Sequence, residues 1–102
     1  MSKIEYEEED ILRVLRDINE FVVSLDQIGN VHHEYGEAAW KEELVDYLIS
    51  NKVLDRLTNI RSTLNTPFPT EHGEDDKSYL EREMENVNYW TFKQYLEKKG
   101  IK

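Results

Sequence analysis

The chain has 102 residues, no Cys, 22 acidic and 13 basic side chains, and a formal charge of −9 at pH 7. This length predicts one domain. The missing thiols exclude disulfides, thiolate catalysis and Cys-ligated metal centres, and the negative charge disfavours unaided binding to nucleic-acid phosphates or anionic lipid.

The first ten residues are acidic where a secretory leader would be basic and then apolar. Runs of adjacent apolar residues stop at three, as in Phe21-Val22-Val23, far short of the ~20 that a membrane span needs. A cytoplasmic protein without membrane or nucleic-acid partners is the expectation.

The first periodic stretch predicts a helix over about residues 6–28. Ile11, Leu15, Ile18, Val22 and Leu25 recur at spacings of four and three, and a second row, Val14, Ile18, Phe21, Leu25 and Ile28, runs beside it. Glu7, Glu8, Glu9 and Asp10 complement the positive end of its dipole. Ser2 with Glu5 fits a capping box that would start the helix earlier. Gly29-Asn30 reads as its C-terminal stop.

From Glu34 to Leu64 the chain has no Pro, and its apolar positions Trp40, Leu44, Leu48, Val53, Leu57, Ile60 and Leu64 continue at helical spacing. One continuous or kinked helix is favoured, with Ser50-Asn51-Lys52 as the place where two shorter helices would part. Residues 65–77 read as an acidic loop, since Pro67-Phe68-Pro69 cannot be helical. A last helix is predicted over about 77–99, with Lys98 and Lys99 in its final turn and Gly100 as its cap.

Few residues point to chemistry. His33 and Glu37 have the i, i+4 spacing that can share a metal, with His32 beside them, but further ligands are missing from the pattern and solvated surface histidines are the simpler reading. His72 is alone in the acidic loop. Ser and Thr lack a His–acid partner, and the four isolated Gly make no phosphate loop. No catalytic residue, metal or cofactor is assigned.

The spacing Glu34-x-x-Glu37 followed by Glu43-x-x-Asp46 resembles the paired acidic motifs of the MazG-type all-α nucleotide pyrophosphohydrolases. The resemblance covers these four positions and implies a divalent-metal-dependent enzyme in which the carboxylates hold magnesium against a nucleoside triphosphate. On one helix, at about 100° per residue, the two pairs would point in nearly opposite directions. This alternative therefore requires a break between them.

The aromatic residues are more informative. Tyr79, Tyr89, Trp90, Phe92 and Tyr95 place five of the chain's eleven aromatics in seventeen positions. On a continuous helix, Tyr89, Phe92 and Leu96 lie off the stripe carrying Leu80, Met84 and Val87. Two readings follow: core covered on both faces, or anchors of a partner site, with Glu81 and Glu85 as steering charges.

The fold expected is an all-α antiparallel bundle of three long helices, or four if the middle stretch turns. Its interior is predicted to include Leu12, Leu15, Ile18, Val22, Leu25, Leu44, Leu48, Leu57, Ile60, Leu64, Leu80, Met84 and Val87. The expected function is that of a non-catalytic, acidic protein-binding module of the regulator, inhibitor or immunity type. Its partner is a protein, with a basic surface favoured by charge. A purely structural, self-associating domain is the other alternative, because the two apolar rows of the first helix leave room for a homodimer.

Overall fold

The computed structural model describes residues 3–71, 73 and 76–101. Ser2 of the Ser2–Glu5 capping box, His72, and Glu74 and Asp75 of the acidic loop fall outside the described residues. The chain groups into two compact units, residues 1–67 and 68–102, each described here by itself. Among the described residues all regular structure is helical, and no helix is long and apolar enough to cross a membrane.

The first unit consists of α1 (Glu8–Tyr35), α2 (Glu37–Ser50) and α3 (Val53–Asn65), which pack together. Helix α1 opens with Glu8, Glu9 and Asp10 in its first turn, but it runs through Gly29-Asn30, where a stop was expected. A glycine inside a helix costs only about 1 kcal/mol relative to alanine, and the half-buried Ile28 and Val31 flank this point. His32, two turns before α2's Trp40, meets that indole edge-on at 5.4 Å. The stop is Gly36, whose φ of 95° and ψ of 177° lie in a region essentially reserved for glycine, and whose amide donates to the His32 carbonyl at 3.0 Å.

The single helix favoured over 34–64 is two helices. Lys52 adopts the left-handed conformation, φ 52° and ψ 44°. Both the Asn51 backbone amide, at 3.1 Å, and its side-chain Nδ2, at 3.0 Å, donate to the Tyr47 carbonyl, which closes the end of α2. The polar triplet Ser50-Asn51-Lys52 thus supplies its own terminator.

The packing of α1 against α2 and α3 follows a regular order. Trp40 meets His32, the Tyr47 hydroxyl donates to Glu20 at 3.4 Å, Arg56 reaches Glu20 and Asp17, Arg13 donates to Thr63 at 2.8 Å, and the Tyr6 hydroxyl donates to the Leu64 carbonyl at 2.6 Å. Inside lie Val14, Phe21, Val53 and Ile60, with Tyr47 and Leu64 packed against them.

This core differs from the predicted one. Ile60 is buried and Leu44, Leu64 and Leu80 are half-buried, but Leu12, Leu15, Ile18, Val22, Leu25, Leu48, Leu57, Met84 and Val87 are exposed. Two apolar rows compete for the inward side of α1, and the row carrying Val14 and Phe21 wins. The broad Phe21 ring offers the larger contact area, and the Arg56 guanidinium lies 4.6 Å above its centroid. That guanidinium donates to Glu20 at 2.6 Å and to Asp17 at 2.7 Å. Its hydrogen bond holds the Glu20 carboxyl below the usual range, against a smaller opposing effect of burial.

The second unit carries α4 (Tyr79–Glu83) and α5 (Phe92–Lys99) in place of one helix over 77–99. Asn86-Val87-Asn88-Tyr89-Trp90-Thr91 is a run of six weak helix formers. After α4 the backbone tightens into short turns, with Glu85 N–H donating to Arg82 at 3.3 Å and Val87 N–H to Met84 at 3.2 Å.

Candidate protein-binding site

Each short helix of the second unit starts on a side-chain cap. Ser78 Oγ accepts from the Glu81 amide at 3.2 Å, and Thr91 Oγ1 accepts from the Gln94 amide at 3.1 Å, satisfying amides that have no helical partner. Helix α5 ends where expected: Lys98 and Lys99 fill its last turn and Gly100 caps it in the left-handed conformation, φ 71°. The Gly100 and Ile101 amides return to Glu97 and Leu96 at 3.2 and 2.9 Å. Phe68 stacks on Tyr79 with ring centroids 6.2 Å apart and planes 11° from parallel.

These caps turn three rings onto one another. Phe92 stacks on Tyr95 at 6.1 Å and 14°, and Trp90 lies tilted against the same ring at 6.2 Å. Trp90 is 72% exposed and Phe92 65%, so the cluster presents large rigid apolar faces to solvent instead of filling a core. Phe92 and Tyr95 lie on α5 and Trp90 just before its Thr91 cap, so Tyr95 braces the other two rings. Rigid rings of this kind supply contact area at low entropy cost when they meet a partner.

The sequence-predicted anchors map onto this cluster only in part. Phe92 belongs to it. Tyr89 is exposed but lies in the irregular segment before α5, and Leu96 is half-buried on α5. The helical face that was to unite the three does not exist, because the helix is broken between 84 and 91. Trp90 and Tyr95 take their place. Thr91-x-x-Gln94, a Thr-x-x-Gln capping pattern, is the sequence signal that marks a new helix start here and brings the rings together.

The proposed steering charges are also placed differently. Glu85 pairs with Lys77, and Glu81 sits in α4 behind its Ser78 cap. Helix α5 itself carries Lys93, Lys98 and Lys99 against Glu97, so the rings have a basic flank.

In the first unit, the four carboxylates of the pyrophosphohydrolase-like pattern are divided by the Gly36 break: Glu34 is on α1, and Glu37, Glu43 and Asp46 are on α2. Glu37 pairs with Lys41 at 3.0 Å. Among the described residues no three His, Asp or Glu side chains are grouped so as to hold a metal ion, either here or around His32 and His33. An open cleft of about 480 Å³ lies beside the Tyr6–Leu64 bond. Its lining is mostly polar, with Glu5, Glu7, Asp10, Ser62, Thr63 and Thr66 against Tyr6 and Pro67, unlike the predominantly apolar walls of a small-molecule site.

No family model, curated protein or solved structure matches this chain.

Proposed function

We propose that the protein is a non-catalytic binding module that recognises another protein through the Trp90–Phe92–Tyr95 cluster. The observation that carries this reading is the exposure of Trp90, Phe92 and Tyr95, braced through Tyr95 at the start of α5. Aromatic side chains are enriched among the residues that dominate binding energy, and here two of them are more than half solvent-exposed. The chain's charge of −9 steers it toward a positively charged partner, with association slowing as salt rises. The Lys side chains of α5 give the contact itself a local acidic preference. The antiparallel bundle belongs to the same reading: within the first unit, α2 and α3 return along α1.

The test is affinity capture from the source lysate at low and moderate salt, beside the triple variant Trp90→Ala, Phe92→Ala, Tyr95→Ala. One protein retained by the wild type and lost by the variant supports the proposal, provided the variant keeps its circular dichroism spectrum. Unfolding of the variant, or capture unaffected by it, overturns the assignment of these rings.

A further inference from the structure

We propose that α1 pairs with α1 of a second copy of this chain, the two helices running antiparallel along the row Ile11, Leu15, Ile18, Val22 and Leu25. This self-association goes beyond the proposed partner binding and uses a different unit of the molecule. On α1 the row sits roughly 70° around the helix from Val14 and Phe21, which face α2 and α3. Among the described residues of the first unit most of the row stays open: Leu15 is 53% exposed, Val22 61%, Ile18 38% and Leu25 37%, while Ile11 at its end is half-buried. Its alternating spacings of four and three are the heptad pattern of a two-helix seam.

Three observations select a second copy as the occupant. The first is charge. Residues 11–25 contain Arg13 and Arg16 against Asp17 and Glu20, so the seam segment is neutral in a chain of −9 and can meet itself without repulsion. The second is orientation. A parallel pair would set Glu8, Glu9 and Asp10 of both copies side by side, whereas an antiparallel pair sets them beside His32 and His33 at the other end of the partner's α1.

The third is self-complementarity, which two-fold symmetry demands. With Ile18 opposite Val22 of the partner subunit, Leu15 falls opposite Leu25 and Ile11 opposite Gly29, and each pairing recurs with the roles exchanged. The same register brings Glu8 to His32. Gly29 has nothing within 4 Å of where a Cβ would stand, which leaves room for the Ile11 side chain.

The size is also appropriate. The four exposed side chains of the row, Leu15, Ile18, Val22 and Leu25, form a strip of roughly 300 Å² on each copy, at the lower end of the range that marks an interaction patch. The flanking residues extend it toward the ~800 Å² per partner of a stable interface.

The experiment is sedimentation equilibrium of the full chain over a wide concentration range. Wild type is expected to pass from monomer to dimer. Leu15→Glu with Val22→Glu is expected to weaken association at least ~100-fold, leaving monomer throughout. Both side chains are already solvent-exposed within one copy, so helicity should be retained. A control, Ile49→Glu with Leu54→Glu, alters side chains 72% and 76% exposed on α2 and α3 and should still dimerise.

Because the chain has no Cys, single thiols report the register. Ile18→Cys mixed with Val22→Cys should cross-link under oxidation far more than either variant alone. Wild type that stays monomeric, or a dimer that survives the Leu15/Val22 variant, overturns the proposal. Efficient cross-linking of Val22→Cys to itself overturns the antiparallel register.

Discussion

Phe21 and Leu54 are both large apolar residues at helical spacing, yet the structure assigns them opposite weights. Phe21 is 6% exposed among Val14, Val53 and Ile60, with the Arg56 guanidinium over its face, whereas Leu54 is 76% exposed on α3. An aromatic side chain buries roughly 150–250 Å², with Phe at the low end. At ~25 cal/mol per Å² this gives about 4 kcal/mol for Phe21, within the ~3–5 kcal/mol of Phe→Ala changes generally. Among the described residues no side chain is below 2% exposed, so water and neighbours can partly fill the vacated space, which places Phe21→Ala near ~3 kcal/mol.

For a chain of this size that corresponds to a fall in Tm of roughly 12–24 °C. Leu54→Ala should stay within about 0.5 kcal/mol of wild type. The assay is urea unfolding followed by far-ultraviolet circular dichroism, with all variants at one low concentration so that association adds equally little. A loss below about 1 kcal/mol for Phe21→Ala, or an equal loss for Leu54→Ala, would refute this assignment of the core.

Other perturbations test separate parts of the structure. Gly36→Ala forces a side chain into a conformation that L residues avoid and should cost about 1–3 kcal/mol by the same unfolding assay. Gly29→Ala, helical and with open space at its Cβ, should instead add about 0.5–1 kcal/mol. The Glu20 carboxyl titrates below its unfolded value of 4.5, because Arg56 donates to it. Its contribution is therefore present above pH ~4.5 and lost as pH falls through the folded value. Arg56→Met should flatten that part of the acid stability curve, and an unchanged acid limb in a pH series would contradict the contact. Thr91→Ala removes the α5 cap and should cost about 1 kcal/mol locally, read as faster amide exchange over residues 92–99 without change in α1.

Much of the fold was legible wherever a local signal decides alone. The all-helical class, the acidic start of α1, the non-helical Pro67-Phe68-Pro69 and the Gly100 end of α5 all follow from residue chemistry acting over a few positions. The sequence is ambiguous where two local signals compete. Gly29-Asn30 looks like a helix end, but the packing of Val31 and the His32–Trp40 contact carry α1 on to Gly36. Ser50-Asn51-Lys52 looks permissive, but the Asn51 side chain and the left-handed Lys52 end α2 there. The sequence groups Trp90, Phe92 and Tyr95 only by proximity, and their contact is hidden for a related reason. A helical wheel drawn over 77–99 separates Trp90 from Phe92, and only the Thr91 cap, by restarting the helix, lets both reach Tyr95.

By itself the sequence determined that this chain is helical, acidic and thiol-free, and that α1 carries two adjoining apolar rows. Those are consequences of composition and of a 3.6-residue period, which require no knowledge of what lies opposite. Tertiary structure alone decided which row faces inward. That choice depends on where Val53, Arg56 and Ile60 are delivered by the turn at Lys52, a contact across more than thirty residues that no periodicity in α1 encodes. Once Phe21 lies beneath Arg56, the row from Leu15 to Leu25 faces outward, and a pattern that reads as core in the sequence becomes surface in the folded chain.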